Sequence, residues 1–181
     1  MRNTKAKIIA AAAKVAVEQG VQNMTMDAVA FEAGISKGGV FYHFGSKHDL
    51  LLGMVKALVD VTEQTIQTSQ ETDREAGSWL RGFVKASIAR DAAELGSVGQ
   101  LSVAFLTAAA NDTTLLKPMN DKQAEWRQAI NDSGLDPTTA QIVRLAADGL
   151  WINDVMRVPV LDSDQREAVV DRLMTMTHSV D

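Results

Sequence analysis

Apolar residues recur every three or four positions along almost the whole chain, the spacing that places them on one side of an α-helix. The alternation of β-branched and polar residues that is typical of strands is nearly absent. Proline, which interrupts helices, occurs only at Pro118, Pro137 and Pro159. The pattern therefore predicts an all-α fold.

The N-terminal part of the chain predicts three helices separated by short turns. We expect the first over 4–19, because Gly20 follows it as a natural C-terminal breaker. Thr25 occupies an N-cap position and opens a second helix through Ala33, which Gly34 ends. Ser36 takes the same capping position before a third short helix, which we expect to run through His43.

Longer helices are predicted after residue 46. The segment from Ser46 to Asp49 is a variant of the capping box, with Asp in place of Glu, and it opens a long fourth helix. The later helices are expected near 74–92, 97–110, 119–132, 137–157 and 163–178. Their joints are marked by Gly96, Asn111-Asp112, Ser133-Gly134 and Pro159. We place one domain boundary, between residues 1–46 and residues 47–181.

Charge is distributed unevenly between the two parts of the chain. The 181 residues carry a net charge of −5, which by itself argues against a nucleic-acid partner. Residues 1–50, however, contain six Lys and Arg against four Asp and Glu, whereas the remainder is strongly acidic. A basic end on an acidic body fits one local phosphate-contacting face better than general binding to polyanions.

Cysteine is absent, which excludes disulfides and thiolate chemistry and favours a reducing cytoplasm. The apolar run near the N-terminus covers only Ile8 to Ala13, which is shorter than the core of a signal peptide. No segment approaches the length of a membrane span. We therefore expect a cytoplasmic protein with no membrane partner.

The histidine and glycine patterns argue against an enzyme. His43, His48 and His178 lack the spacing of a zinc-binding HExxH motif, and no cysteine is available to complete a metal site. The segment GISKGGV, which begins at Gly34, lacks the Gly-Lys-Ser/Thr ending of a phosphate-binding loop, and no Gly-x-Ser-x-Gly elbow is present. We expect no catalytic residue, no cofactor and no metal.

Residues 25–50, TMDAVAFEAGISKGGVFYHFGSKHDL, predict two very short helices joined by a tight turn. Gly34 supplies the positive φ that the turn needs, and the small Ala30 and Ala33 allow the helices to cross closely. The second short helix presents polar residues near its N-terminal end. A recognition helix meets the major groove of DNA with that end.

This stretch resembles the helix-turn-helix of the TetR family of bacterial transcriptional regulators. The matching positions are the threonine at Thr25, the Ala-x-x-Ala-Gly-Ile-Ser turn over 30–36, the Tyr-His-Phe over 42–44, and the Ser46-Lys47 pair before Leu50. The resemblance implies an N-terminal three-helix DNA-binding domain and a larger helical domain for dimerisation and ligand binding. Beyond residue 50 it rests only on length and helical content.

The resemblance implies a DNA-binding role for eight residues. Thr25, His43 and Lys47 would contact phosphates, Lys47 from the positive N-terminus of the fourth helix. The remaining five would lie at or beside base edges and sugar-phosphate walls: Ser36, Lys37, Gly38, Gly39 and Tyr42. The two glycines disfavour a helix by about 1 kcal/mol each relative to alanine, which suggests close backbone approach to DNA. Phe41 stands where the family usually has tyrosine, so a hydroxyl contact is lost there.

Several of these residues have an ordinary structural alternative. Surface lysines such as Lys37 and Lys47 are usually solvated, His43 could cap a helix, and Tyr42 could pack as a core aromatic.

The segment over 137–157 has an apolar stripe with small residues at its centre: Ile142, Leu145, Ala146, Gly149, Ile152 and Met156. The last helix adds Val169, Leu173 and Met176 at helical spacing. Small residues allow close helix approach, and in the resembled family the last two helices of each subunit form a four-helix bundle across a two-fold axis. The alternative is an ordinary stripe packed within one chain.

The second part of the chain also contains all three tryptophans, and a mostly apolar cavity with a few polar groups is typical of small-molecule sites. We take six residues as ligand-binding candidates: Trp79, Phe83, Phe105, Trp126, Asp148 and Trp151. Asp148, with Asn153, would orient the ligand; alternatively Asp148 pairs with Arg144 and the aromatics form core. The resemblance implies a homodimeric repressor that binds an inverted-repeat operator and is released by a small apolar effector. The alternative is a helical small-molecule-binding protein that does not act on DNA.

Overall fold

The computed structural model describes residues 2–88 and 96–178, and within them the chain is all-helical, which confirms the predicted fold class. The α-helices follow one another in this order: α1 (Arg2–Gln19), α2 (Met26–Ala33), α3 (Lys37–His43), α4 (Lys47–Thr72), α5 (Ser78–Ser87), α6 (Gly96–Ala109), α7 (Lys117–Asn131), α8 (Pro137–Met156) and α9 (Ser163–Met176). A short 3-10 helix, Thr113–Leu116, precedes α7. No helix in these two ranges is long and apolar enough to cross a membrane.

The chain forms two compact units. One unit contains α1, α2, α3, α4 as far as Val59, and α6 with the segment through Asp121. Its core is built from apolar side chains that are almost inaccessible to water, among them Ile8, Val29, Val40 and Leu50. Helix α1 packs on both α2 and α6, so the short helices gain support that they could not supply alone.

The turn between α2 and α3 follows the predicted cap chemistry. The Thr25 hydroxyl accepts a hydrogen bond from the Ala28 amide at 3.1 Å, and the Ser36 hydroxyl accepts one from the Gly39 amide at 3.1 Å. Gly34 ends α2 at φ 60°, the left-handed conformation that favours glycine. The Thr25 cap therefore sets where α2 begins, whereas Gly34 and the Ser36 cap shape the turn between α2 and α3.

Helix α4 begins with a modified form of the predicted capping box. The Asp49 amide donates to the Ser46 hydroxyl at 3.0 Å, as in the standard motif. The Asp49 carboxylate, however, accepts from the Ser46 hydroxyl at 2.8 Å, because the shorter Asp side chain replaces Glu. The helix then continues for 26 residues to Thr72 and belongs to both compact units.

The second unit contains α4 from Asp60, α5, α7 from Lys122, α8 and α9. Helix α5 is shorter than the predicted 74–92, and residues 89–92 of that prediction lie outside the described residues. Gly77, at φ 78°, starts the helix late. The Arg81 guanidinium holds the preceding loop in place through the Asp73 carboxylate and the Ala76 carbonyl oxygen.

Gly96, which was expected to mark a joint, is the first residue of α6, within one residue of the predicted start at 97. Asp112 does mark a joint, but its carboxylate caps the unpredicted 3-10 helix by accepting from the Thr114 amide at 3.0 Å. The division of roles at residue 46 stays a prediction, because packing alone assigns no role to a unit.

Candidate functional site

Helix α3 has one buried side and one exposed side. Val40, and Phe44 just after the helix, are buried and anchor it to the core, whereas Tyr42 is 74% exposed. The Tyr42 and His43 rings meet edge to face, with centroids 5.2 Å apart. The structure thus places Tyr42 and His43 outside the core, and Phe41, the position of the lost hydroxyl, is also exposed.

The two predicted lysines are both engaged by polar groups of the protein. Lys37 Nζ donates to Asp27 Oδ2 at 2.8 Å, and Lys47 Nζ donates to the Gln22 carbonyl oxygen at 2.9 Å. Both contacts lie in exposed positions. Exposed contacts of this kind contribute only about 0–1 kcal/mol to folding.

The two glycines of α3 differ in what surrounds them. A side chain at Gly39 would place its Cβ 3.3 Å from the Ser36 hydroxyl, so the N-cap itself favours glycine there. A Cβ at Gly38 would meet nothing closer than 4.0 Å. Neither packing nor a positive φ therefore requires glycine at position 38.

The capping hydroxyls of Thr25 and Ser36 have a second capacity. Each accepts a hydrogen bond from a backbone amide and keeps its own O–H as a donor. A phosphate oxygen is a suitable acceptor for that proton. These two residues can therefore hold the start of a helix and contact DNA at the same time.

Two residues on α2 were missed by the sequence analysis. Asp27 pairs with Lys37, and Phe31 is 89% exposed, unusual for an aromatic side chain. An aromatic residue outside the apolar stripe of α2 was the available signal for Phe31. No sequence signal joins Asp27 to Lys37, because the pair spans two helices.

His48, in the first turn of α4, contacts the joint after α6. Its Nδ1 lies 3.3 Å from Asp112 Oδ2. The hydroxyl and amide of Thr114, followed by the charge and hydrogen bond of His48, hold the pKa of Asp112 below its ordinary value. The start of α4 therefore contacts Asp112, the residue whose carboxylate also caps the 3-10 helix after α6.

The second unit contains an aromatic cluster formed by Trp79, Phe83 and Trp126. The Trp79 and Phe83 rings stack at 5.4 Å, as their i, i+4 spacing on α5 allows, and Trp126 meets Phe83 edge-on at 5.7 Å. The Arg144 guanidinium lies between two of these rings, 4.8 Å from Phe83 and 5.0 Å from Trp126. The cluster therefore already contains a cation held by two aromatic faces.

Arg144 is incompletely hydrogen-bonded. Its Nη2 donates to Gln123 Oε1 at 3.2 Å. Its Nε is buried and makes no hydrogen bond, although Asp148 Oδ2 lies 3.4 Å away. Burial raises the pKa of Asp148, and the charge of Arg144 opposes that rise. The two residues form the i, i+4 pair that the sequence left open as an alternative.

Trp126 is also joined to α4. Its Nε1 donates to Glu63 Oε1 at 2.5 Å, and Lys122 Nζ donates to Glu63 Oε2 at 3.0 Å. Glu63 therefore holds the indole ring of the aromatic cluster through a charge-assisted hydrogen bond.

The predicted ligand residues are only partly brought together. Phe83, Trp126 and Asp148 contact Arg144, and Trp79 contacts Phe83 and Trp126. Trp151 is half-buried on α8, and Phe105 belongs to the other compact unit. A groove of about 530 Å³ lies elsewhere in the second unit and contains none of them. It is lined by Val61, Gln64, Thr65, Thr68, Ser69, Thr72 and Lys85.

The predicted stripe on α8 is exposed in the single chain. Ile142 is 51% exposed, Leu145 67%, Ile152 40% and Met156 63%. A Cβ added at Gly149 would meet nothing within 4 Å. On α9, by contrast, Leu173 is buried within its own chain, so it belongs to the internal packing and not to an exposed stripe.

Two family models match this chain. One, described as "Bacterial regulatory proteins, tetR family", matches residues 8–54, and another, "Tetracyclin repressor-like, C-terminal domain", matches residues 77–178, more than half of the chain. The chain belongs to the TetR family. Helices α2 and α3, which form the helix-turn-helix, lie within the segment that the first of these models matches.

Individual relatives agree with this assignment. TtgW of Pseudomonas putida, described as an uncharacterized HTH-type transcriptional regulator, is 42% identical over 50 residues, 28% of this chain and 37% of its own. The chain thus matches little more than a third of that relative. A putative TetR-family regulator from Rhodococcus sp. has a similar fold, with a TM-score of 0.73 at 20% identity, covering 98% of this chain and 100% of that one.

A further structural neighbour, the multidrug binding protein EbrR complexed with ethidium, has a TM-score of 0.62 at 23% identity. The similarity covers 98% of this chain and 99% of that one.

Proposed function

We propose that this TetR-family protein is a homodimeric repressor that binds an inverted-repeat operator and is released by a small, largely apolar effector. The observation that carries the proposal is the exposed surface of α2 and α3. That surface presents Lys37, Tyr42 and His43 beside two capping hydroxyls that keep free donors. Residues 1–46 would bind DNA, and residues 47–181 would dimerise and bind the effector.

Contacts with DNA would divide between two classes. Thr25, His43 and Lys47 would contact phosphates, which sets affinity and register but not sequence preference. Lys37 and Tyr42, with Ser36 beside them, would lie in the major groove, and the absence of a side chain at Gly38 and Gly39 would let the backbone approach. Few side chains remain to recognise bases, which gives each of them a large share of specificity.

The exposed α8 stripe supports the homodimer. Contiguous exposed apolar side chains are uncommon on a monomer and mark interfaces. Gly149, with open space around it, would let the α8 helices of two protomers approach closely. A two-fold interface would repeat every contact, so a short stripe contributes twice.

The effector would bind at the aromatic cluster. Arg144 Nε, buried without a hydrogen bond, and the three aromatic rings offer the mixture of apolar surface and few polar groups that ligand sites share. EbrR, which has the same fold at low identity, was crystallised with ethidium. A role for Asp148 in orienting the effector, beside its pairing with Arg144, belongs to the same proposal.

Helix α4 would connect effector and DNA. Lys47 is its first residue, and Glu63, further along the same helix, accepts the hydrogen bond of Trp126. An effector that displaces the indole would break that contact and shift α4. Moving the operator-bound fraction from 99:1 to 1:99 requires the effector to favour the released conformation by about 5.5 kcal/mol across the dimer.

The test begins with selection of bound fragments from the host genome, followed by titration of the recovered duplex with protein. The proposal expects enriched fragments with an inverted repeat, and compounds that change tryptophan emission while lowering affinity for that duplex. If no fragment is enriched although compounds bind, a helical small-molecule-binding protein that does not act on DNA would replace it.

A further inference from the structure

The ion pair between Asp27 and Lys37 lies on the surface that is proposed to meet DNA. The pair joins the first turn of α2 to the first residue of α3, with Nζ and Oδ2 2.8 Å apart. The lysine side chain is 57% exposed and the aspartate side chain 65%. Both charges therefore stand in solvent beside the N-terminal end of the recognition helix.

A stabilising role does not explain this pair. Exposed ion pairs contribute about 0–1 kcal/mol to folding. The turn between α2 and α3 is already shaped by the left-handed Gly34 and the Ser36 cap. A carboxylate on a phosphate-facing surface also repels DNA. On the proposed surface Asp27 would thus weaken general DNA binding while contributing little to folding, which points to a role in how Lys37 binds.

We propose that Asp27 is a positioning residue that holds Lys37 for guanine recognition and withholds it from phosphates. An ammonium group has three N–H donors, and Asp27 accepts one of them. The other two can reach O6 and N7 of a single guanine, the acceptor pair on its major-groove edge. Without the carboxylate, the flexible lysine would turn to the nearest phosphate on any sequence. This inference rests on the proposed role of Lys37 in the major groove.

The pair would therefore lower the affinity for random DNA and raise the preference for an operator with guanine at the right position. On random DNA, a lysine neutralised by Asp27 adds nothing to the release of counterions, so it does not contribute to the salt dependence. On an operator with guanine at the right position, the same lysine contributes two directed hydrogen bonds.

The test compares Asp27→Asn with the matched variant Glu32→Gln. Both remove one negative charge from α2 and keep the side-chain size. Glu32 also lies on α2, but its partner at 2.8 Å is Lys14 of α1, which is not one of the two helices of the helix-turn-helix. Affinities of the full-length wild type and both variants are measured by anisotropy on the selected operator, on that operator with each guanine replaced by adenine, and on a random duplex, over a range of salt.

For Asp27→Asn we expect random-DNA affinity to rise about threefold or more at low salt, because one repulsive charge is lost. The slope of log affinity against log salt should steepen by about 0.9, the contribution of one freed lysine. Preference for guanine at one operator position should fall about fivefold or more. In a Lys37→Met background, Asp27→Asn should leave the slope and the guanine preference unchanged.

Glu32→Gln should retain the wild-type slope and base preference. Equal changes in slope and base preference for Asp27→Asn and Glu32→Gln would overturn the inference, since the effect would then be one of net charge. So would an unchanged guanine preference in Asp27→Asn with a melting temperature equal to that of the wild type. Failure of the wild type to select any fragment would contradict the proposed function instead.

Discussion

Replacement of Leu145 by glutamate should separate the proposed dimer. Burying a leucine side chain contributes about 1.5–3 kcal/mol. Leu145 is 67% exposed in the single chain. Burying the exposed part at an interface would therefore contribute about 1–2 kcal/mol for each protomer. The two-fold axis doubles the loss to about 2–4 kcal/mol per dimer, before the cost of burying a carboxylate is added.

The dimer dissociation constant should therefore rise about 30-fold to 700-fold, since each 1.4 kcal/mol is a factor of ten. Sedimentation velocity over a concentration series measures this constant directly. Val17→Glu serves as the control, because Val17 is an exposed apolar residue (43%) of α1, outside the α8 stripe. Helicity of both variants is checked by circular dichroism. Equal dimer constants for the wild type and Leu145→Glu would refute the assignment of α8 to the interface.

Three further predictions concern DNA binding, coupling and acid stability. Lys47→Ala should weaken binding about equally on operator and random DNA and flatten the slope of log affinity against log salt by about one unit. Anisotropy measures both effects, and an unchanged slope would show that Lys47 does not contact a phosphate. Trp126→Phe removes the donor to Glu63 and should reduce the effector-induced loss of operator affinity by about tenfold or more, measured in paired titrations with and without compound; full retention of that loss contradicts the α4 route. The Arg81 hydrogen bonds, ahead of other contributions, lower the pKa of Asp73 to about 2 from 3.8. A carboxylate with a lowered folded-state pKa stabilises the fold above its unfolded pKa. The thermal midpoint should therefore fall between pH 4 and 2 more steeply in the wild type than in Asp73→Asn, and equal slopes would refute this.

Local chemistry explains why the helix-turn-helix could be predicted closely from sequence. Thr25, Gly34 and Ser36 act on amides or on their own φ within a few residues, so their effect does not depend on the rest of the fold. The helix bounds around them agree with the prediction. The resemblance of residues 25–50 to a known family then supplied a function that spacing alone could not.

The sequence predictions differ from the structure where contacts between distant residues determine the start of a helix or the burial of a side chain. Helix α5 starts late because the buried Arg81 bonds the loop before it and the Thr177 carbonyl oxygen of the C-terminal segment. Apolar spacing within 74–92 carries no sign of that contact. Leu173 similarly fits a stripe by its spacing, yet it is buried in its own chain because α9 packs on α5 and α8.

The candidate site divides in the same way. The stacking of Trp79 on Phe83 follows from their spacing on one helix. The contacts of Trp126 and Arg144 with Phe83 depend instead on how α7 and α8 pack. Asp27 was not identified because its partner lies on the next helix. The groove on α4 and α5 was missed because its lining is rich in Thr and Ser, a composition that on a sequence resembles an ordinary solvated face.

A homodimer that places two recognition helices on an inverted repeat should be sensitive to the spacing of the two half-sites in the operator. Insertion of five base pairs between the half-sites rotates one of them by about half a turn of DNA, since a turn takes about 10–10.5 base pairs. Sedimentation of labelled duplexes gives the stoichiometry, and anisotropy gives the affinity. We predict two protomers per native operator and loss of most of the specific affinity on the five-base-pair insertion. Equal affinity for the native and inserted operators, with one protomer per duplex, would contradict it.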